Sequence, residues 1–277
     1  MITAVKSTTP TLTHVMPSQG GVSVITSLGD DVFVARKESE QIEVYDAETL
    51  TLQRRLKFPG FSARTTGLAA CPNNNCLYAS GWEWDNDCVH RVELSGSNAV
   101  KKWSVSKGPR GLSVNSEHNL IVACCWANKL QEYTTHGALV REICLQEDEA
   151  NPWHAIQLST GDYVVSLFTF SGVVSVIGVD GQVVRSYVQS QTSNVGRMKY
   201  PRTLAVTKND DILVADEYND RILLINSSLG SIQELALSVD GGTRVPGGLC
   251  LDKSRGRLYV GEYYGKCRLL VFDGVHL

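Results

Sequence analysis

Short runs in which apolar and polar residues alternate follow one another along almost the whole chain. β-Branched and aromatic residues are frequent in these runs, and Gly, Asn, Asp and Ser separate them. A period of two residues is typical of β-strands that bury one face. No run keeps the 3.6-residue apolar period of a helix over a helical length. The pattern therefore predicts an all-β protein.

A longer period is superimposed on this alternation. Four segments share a turn, a small residue and alternating apolar positions: TTGLAA (65–70), PRGLSV (109–114), PRTLAV (201–206) and PGGLCL (246–251). Two more, WHAIQL (153–158) and GGVSV (20–24), follow the same pattern more loosely. The residue two before the first apolar position marks the register at Gly20, Thr66, Arg110, His154, Arg202 and Gly247. These markers are separated by 46, 44, 44, 48 and 45 residues.

Further short strands follow each marker, so that each unit of about 45 residues holds four. Six such units predict a six-bladed β-propeller with four-stranded antiparallel blades, which makes residues 1–277 a single domain. The sixth unit supplies only three strands. We expect TLTHVM (11–16) to pair as the outer strand of the last blade, which would close the ring and leave no long unpaired edge.

The fifth and sixth units have a more distinctive sequence than the other four. They read YPRTLAVTKNDDILVADEYNDRILLI (200–225) and VPGGLCLDKSRGRLYVGEYYGKCRLLVF (245–272). They resemble the NHL repeat, and Asp216, Asn219 and Arg221 match its polar pattern. The resemblance implies an NHL-like propeller in which these three residues clasp the hairpin between the second and third strands. It also points to the TRIM-NHL proteins, whose propellers recognise RNA or protein partners. The zinc-binding and coiled-coil modules of that family have no counterpart in this sequence.

Composition restricts the partners and the location. The chain has 277 residues, 43% of them apolar, and 26 Lys and Arg against 29 Asp and Glu give a net charge of −3. A protein held on duplex DNA needs a strongly basic surface, so a nucleic-acid site here must be a local patch. The sequence has no apolar stretch of membrane-spanning length and begins without the apolar core of a signal peptide. The spacing of its eight cysteines fits neither a zinc site nor a disulfide framework. We therefore expect a cytoplasmic, monomeric protein with reduced cysteines and no contact with a membrane.

Charged and aromatic residues are concentrated in two kinds of connection. In a propeller, the link that enters each innermost strand and the hairpin between the second and third strands lie on one rim of the channel, where function usually resides. The predicted entering links carry seven cations: Arg64, Lys107, Arg110, Arg197, Lys199, Arg202 and Arg244. The predicted hairpins and links carry ten aromatic residues: Trp82, Trp84, Trp126, Trp153, Phe168, Phe170, Tyr200, Tyr218, Tyr263 and Tyr264.

Cations beside exposed rings suit single-stranded RNA, because phosphates pair with cations while bases stack on rings. Under this hypothesis Arg110, Arg202, Lys107 and Lys199 hold phosphates near the axis. The predicted stacking residues are Trp82, Trp126, Tyr218 and Tyr264, and Arg64, Arg244, His154 and Trp153 complete the predicted binding face. Trp, Tyr and Arg are also frequent in protein interfaces, so a protein partner is the alternative.

A catalytic function is the least favoured alternative. Some six-bladed propellers are metal-dependent hydrolases or lyases that hold a divalent ion in the channel with oxygen ligands. The six marker positions supply no carboxylate, one imidazole at His154 and two guanidiniums at Arg110 and Arg202. We therefore predict no catalytic residue, no metal and no cofactor.

Overall fold

Six small sheets, each of four antiparallel strands, make up the fold. The structure is a computed structural model, and it describes residues 10–16, 20–57, 65–81, 87–95, 99–146, 150–169, 172–187 and 195–275. The first twelve strands are β1 (Thr11–Met16), β2 (Val22–Leu28), β3 (Asp31–Arg36), β4 (Gln41–Asp46), β5 (Leu52–Lys57), β6 (Thr65–Cys71), β7 (Cys76–Gly81), β8 (Cys88–Glu93), β9 (Val100–Ser104), β10 (Pro109–Val114), β11 (Leu120–Cys124) and β12 (Lys129–Tyr133). The other twelve are β13 (Leu139–Cys144), β14 (Pro152–Gln157), β15 (Tyr163–Leu167), β16 (Val173–Ile177), β17 (Val183–Tyr187), β18 (Pro201–Val206), β19 (Ile212–Asp216), β20 (Arg221–Ile225), β21 (Ile232–Glu234), β22 (Pro246–Asp252), β23 (Arg257–Glu262) and β24 (Leu269–Asp273).

The order of the strands confirms the predicted six-bladed β-propeller. Blades 1 to 5 each take four consecutive strands beginning with β2, β6, β10, β14 and β18, and blade 6 has the order β22-β23-β24-β1. Strand β1 pairs antiparallel with β24, with Thr11 opposite Asp273 and Met16 opposite Leu269. The predicted closure by residues 11–16 is therefore confirmed. The only helices among the described residues are two short 3-10 turns, η1 (Cys125–Ala127) and η2 (Glu217–Asn219).

Burial follows the position of each strand within its blade. The second strands β11, β15, β19 and β23 are buried along their whole length, whereas the outer strand β5 exposes five of its six residues. Each of the six apolar clusters draws on two neighbouring blades, as in the cluster that joins Val24 and Phe33 of blade 1 to Leu68 and Leu77 of blade 2. The blades are therefore stabilised mainly by burying apolar faces against one another.

Every innermost strand has an irregular register near its beginning. The irregularity falls between Pro109 and Leu112 in β10 and between Pro201 and Leu204 in β18, and the other four blades have one at the same place. A β-bulge of this kind leaves a residue outside the regular pairing and redirects its side chain. The recurring marker segments therefore contain the bulges at which each blade begins, although the marker Gly20 of blade 1 lies three residues before its bulge, which falls between Val22 and Val24.

Candidate functional site

The two kinds of connection predicted to share one rim do lie together. In five blades a residue just after the second strand donates a backbone hydrogen bond to a carbonyl just before the innermost strand. These bonds join Lys37 N to Gly21 O (2.7 Å), Cys125 N to Gly108 O (2.9 Å), Phe168 N to Asn151 O (3.0 Å), Tyr218 N to Lys199 O (3.3 Å) and Tyr263 N to Val245 O (2.9 Å). The bond places hairpin and entering link side by side in each of these five blades. We call this side of the disc the rim face.

Three neighbouring blades use their bulges to present a large side chain on the rim face. The bulge residues are Arg110 in blade 3, Trp153 in blade 4 and Arg202 in blade 5. The sequence register placed His154 at this position of blade 4, which is wrong by one residue. Because Pro152 pairs with Leu167 and His154 already pairs with Ser166, Trp153 is the residue that the bulge sets apart.

These bulge residues belong to a continuous series of cations and rings. The Arg110 Cζ atom lies 5.4 Å from the ring centroid of Trp126 and 4.9 Å from that of Trp153. The Arg202 Cζ atom lies 5.1 Å from the Trp153 centroid and 4.2 Å from the Tyr263 centroid. All four distances are within the range of cation–π attraction. Trp153 therefore has two guanidiniums against one ring.

The series continues into blades 6 and 1. Tyr263 and Tyr264 meet edge to face with centroids 4.7 Å apart. The Lys37 Nζ atom lies 4.2 Å from the Tyr264 centroid and 5.4 Å from the Tyr263 centroid. We call the whole series the rim arc, and its members are Trp126, Arg110, Trp153, Arg202, Tyr263, Tyr264 and Lys37. It extends over five of the six blades.

A branch of aromatic rings leaves the rim arc at Trp153. Phe168 lies 4.3 Å from Trp153, Tyr200 lies 4.8 Å from Phe168, and Tyr218 lies 4.7 Å from Tyr200, all between ring centroids. Each ring fixes the next, so few rotamers are open to the inner members. The branch ends at Tyr218, which is 65% exposed.

The inner members of the rim arc and its branch are buried or partly buried, whereas three rings, Trp126, Tyr218 and Tyr264, are exposed. Arg110 and Arg202 are only 6% and 5% exposed, whereas Trp126 and Tyr264 are 44% and 49% exposed. The predicted phosphate-binding arginines are thus packed between rings rather than extended into solvent. The accessible surface of the site consists chiefly of the rings at its ends.

The buried charges of the rim arc are partly compensated. Arg202 Nη1 lies 2.9 Å from Glu217 Oε1, and both side chains are buried. Burial raises the pKa of Glu217, although the attraction of Arg202 opposes this shift. Burial also lowers the pKa of Arg110, and the nearby charge of Arg202 lowers it further. Two guanidiniums and one carboxylate at the centre leave a positive potential under the rings.

His154 is held inside the wall of the channel and takes no part in the rim arc. Its Nδ1 atom accepts a hydrogen bond from Leu204 N (3.1 Å), and its Nε2 atom lies 3.1 Å from Leu112 O. A backbone N–H can only donate and a carbonyl can only accept, so the ring is the neutral Nε2–H tautomer. Burial lowers its pKa to about 4. His154 thus joins the innermost strands of blades 3, 4 and 5, and both of its nitrogens are occupied.

The NHL-like residues form the clasp that the resemblance implies. Asp216 Oδ2 accepts hydrogen bonds from Arg221 Nε and Asn219 Nδ2, both at 2.8 Å. Asp216 Oδ1 accepts a third bond from Lys199 N at 2.7 Å, and Asn219 Nδ2 also donates to Arg197 O. The clasp therefore fixes both the hairpin and the entering link of blade 5, and so it positions Tyr200 and Tyr218.

The other predicted site residues are scattered more widely. Lys107 and Lys199 are exposed in the entering links of blades 3 and 5, and Arg244 is exposed with its Nη1 atom 3.5 Å from Asp220 Oδ2. Arg64, Trp82, Trp84 and Phe170 lie outside the described residues. Lys37 was missed, although it directly follows the second strand of its blade, where Phe168 and Tyr263 stand in theirs.

The described residues form neither a metal-binding cluster nor a membrane-spanning helix. Within these residues, no group of three or more His, Cys, Asp and Glu side chains is placed to hold a metal ion. None of the helices in the same residues is long and apolar enough to cross a membrane. The eight cysteines, all of them described, are free thiols, and five are buried.

The strand order defines a six-bladed β-propeller. Comparison with known proteins finds solved structures that share this fold. No family model, that of the NHL repeat included, matches the chain, and no curated protein sequence matches it. A streptogramin B lyase structure is 14% identical with a TM-score of 0.67, over 94% of this chain and 96% of that chain. Virginiamycin B lyase from Staphylococcus aureus is 13% identical with a TM-score of 0.65, over 90% and 81% of the two chains. Hydrazine synthase from Kuenenia stuttgartiensis is 16% identical with a TM-score of 0.69, over 98% and 99%. At such identities the likeness shows the shared fold, and the fact that these relatives are enzymes does not make this protein one.

Proposed function

We propose that this protein is a non-enzymatic, NHL-type propeller of the cytoplasm that binds single-stranded RNA on its rim face. The observation that carries the proposal is the rim arc with its branch, which offers three exposed rings on a rigid and positively charged base. Aromatic surfaces of this kind stack unpaired bases at about 1–3 kcal/mol each without requiring a particular sequence. The spacing of the rings over blades 3, 5 and 6 suits an extended strand rather than a single nucleotide.

The buried and the exposed cations have different roles in this proposal. Arg110 and Arg202 position the rings and supply a positive potential beneath them, because their guanidiniums lie against ring faces. Lys107 and Lys199 are exposed and flank the same bulges, so they are the phosphate contacts. His154 has no role in binding, since both of its nitrogens hold the fold together.

Two observations favour binding over catalysis. His154, the imidazole on the innermost strands, is neutral and both of its nitrogens are engaged, so it cannot serve as the proton acceptor of a lyase. The carboxylate nearest the centre of the rim arc, Glu217, is committed to Arg202. The rings and cations would also suit a protein interface, which the experiment below distinguishes from RNA.

Fluorescence anisotropy with a labelled, random-sequence 20-nucleotide RNA tests the proposal. We expect Tyr218→Ala and Tyr264→Ala each to weaken binding by roughly tenfold, the equivalent of one lost stacking contact. We expect the double variant Lys107→Gln/Lys199→Gln to lower the slope of log affinity against log salt by about 1.4, because each phosphate contact on a single strand contributes about 0.7.

Control variants make comparable changes away from the rim face. Val184→Ala removes an exposed apolar side chain from the outer strand of blade 4, and Lys101→Gln/Lys102→Gln removes two exposed lysines from the outer strand of blade 2. Both should bind like the unmodified protein. Equal weakening by rim and control variants, or no binding of the RNA pool at low salt, would refute RNA recognition. Nuclease-resistant capture of one protein that the rim variants abolish would instead assign the rim face to a protein partner.

A further inference from the structure

A channel of about 470 Å³ runs along the axis of the propeller, between the innermost strands. One end lies at Trp153, below the rim arc. The other end lies at the turns between first and second strands, where Pro72, Asn115 and Lys253 line it. These turns are on the face opposite the rim face. The volume falls within the range of 300–1,000 Å³ that is usual for small-molecule sites.

The wall of the channel is mainly apolar. In its lower part, the half farther from the rim face, each blade contributes one side chain. These side chains are Thr26, Ala70, Val114, Ile156, Val206 and Leu251. Several polar groups of the wall are already used between blades. Ser113 Oγ donates to Ala155 O at 2.7 Å, and Thr203 Oγ1 donates to Gly247 O at 2.6 Å. The channel can therefore accommodate an apolar body without leaving these groups unsatisfied.

The charge of the channel has one sign. Among the described residues that line it there is no carboxylate and no arginine, and Lys253 is the one side chain with a permanent charge. Two imidazoles, His118 and His154, also line the channel. His154 is neutral, and burial raises the pKa of the Cys250 thiol to about 11. A positive charge without an opposite charge on the wall attracts an anion.

The surroundings of Lys253 leave room for such an anion. Its Nζ atom donates one hydrogen bond, to Thr207 O at 3.2 Å, and an ammonium has three protons to donate. Burial lowers the pKa of Lys253, the charge of Lys208 lowers it further, and the charge of Asp210 raises it. The Asp210 carboxylate already accepts hydrogen bonds from Ser159 N and Ser159 Oγ. Lys253 is exposed at this mouth of the channel, so a bound anion would replace part of the water around its ammonium.

We propose that the channel binds a small organic monocarboxylate, with its apolar body between the innermost strands and its carboxylate on Lys253. One ammonium matches one negative charge, whereas a phosphate group needs several donors. The ligand enters from the face opposite the rim face. The proposal is independent of RNA binding, because Lys253 and the rim arc are at opposite ends of the axis.

Isothermal titration calorimetry with octanoate and with octanol tests this site, because the two probes share a chain length and differ in charge. We expect octanoate to bind about tenfold more tightly than octanol, the effect of one charge-assisted hydrogen bond. Lys253→Gln should remove that advantage and leave the binding of octanol unchanged. Lys208→Gln is the matched control, since Lys208 is exposed but does not line the channel.

A second variant tests the placement of the apolar body. Ala70→Leu narrows the lower part of the channel from blade 2 without changing Lys253 itself, so it should weaken both probes by a similar factor while leaving RNA binding unchanged. The proposal is wrong if octanoate does not bind, if it binds no more tightly than octanol, or if Lys208→Gln weakens it as much as Lys253→Gln. Each of these results would leave the function proposed for the rim face standing.

Discussion

His154 should make the stability of the protein depend on pH in a way that one substitution can isolate. In the folded state the buried ring is neutral and its pKa is about 4. In the unfolded chain the ring is exposed to water and has the usual histidine pKa of about 6.5. Between these two values the unfolded state binds more protons than the folded state. The stabilising effect is therefore complete above pH 6.5 and is lost progressively as the pH falls toward 4.

The size of this effect follows from the difference between the two pKa values. A difference of about 2.5 units corresponds to about 3 kcal/mol once the pH is below both values. At pH 5 about 2 kcal/mol of this should already be lost. Protonation would also place a positive Nδ1–H against Leu204 N, so the bond between blades 4 and 5 would break.

Urea unfolding at pH 8 and pH 5 measures the effect, and His154→Gln supplies the comparison. The variant lacks the titrating ring, so its stability should fall by about 2 kcal/mol less than that of the unmodified protein between the two pH values. At pH 8 the variant should be less stable by roughly 1–3 kcal/mol, because Leu204 N or Leu112 O loses its partner. If both proteins lose the same stability between pH 8 and pH 5, His154 is not held neutral and the bonding described for it is wrong.

Two further substitutions test the close packing of two neighbouring blades and the hydrogen bonds within one blade. Gly67→Ala would place a Cβ atom 2.2 Å from Arg110 O and 2.6 Å from Ser80 Oγ, so it should destabilise the protein by roughly 1–3 kcal/mol in thermal unfolding. Gly20→Ala, whose Cβ would lie 3.6 Å from its nearest neighbour, should change stability by less than about 0.5 kcal/mol, and equal effects would count against the close approach of blades 2 and 3. Glu132→Gln should cost roughly 1–3 kcal/mol, because the buried carboxylate accepts bonds from Asn115, Asn119 and Arg141. A urea midpoint within error of the unmodified protein would show that Glu132 does not need its charge.

The architecture could be predicted from the sequence because a propeller repeats one local pattern six times. Alternation fixes the strands, the 45-residue period fixes the blades, and TLTHVM supplies the strand that the last unit lacks. The register of blade 4 could not be obtained in the same way. The segment PWHAIQ has Trp153 where PRGLSV has Arg110, and the conspicuous imidazole beside it draws the alignment off by one residue.

The candidate site could be predicted as a region but not as a set of contacts. The sequence places Arg110 and Arg202 at the start of innermost strands, and it places Trp126 and Tyr263 in hairpins. It does not show that a bulge directs each guanidinium against the rings of neighbouring connections, because that depends on distances between blades. Lys37 was missed for the same reason, since its relation to Tyr264 crosses the junction between blades 6 and 1.

The pairing of β1 with β24 has a consequence for how the protein is made. Thr13 and Val271, which a hydrogen bond joins across this pair, are 258 residues apart in the chain. During synthesis the first five blades leave the ribosome before β24 exists, so β1 has no partner and the circle stays open for most of translation. During that period blades 1 and 5 each leave one apolar face exposed to solvent, because blade 6, which covers both faces, has not yet formed. The nascent chain is therefore expected to depend on chaperones until the strands β22 to β24 of blade 6 emerge, and only then to acquire its full resistance to proteases.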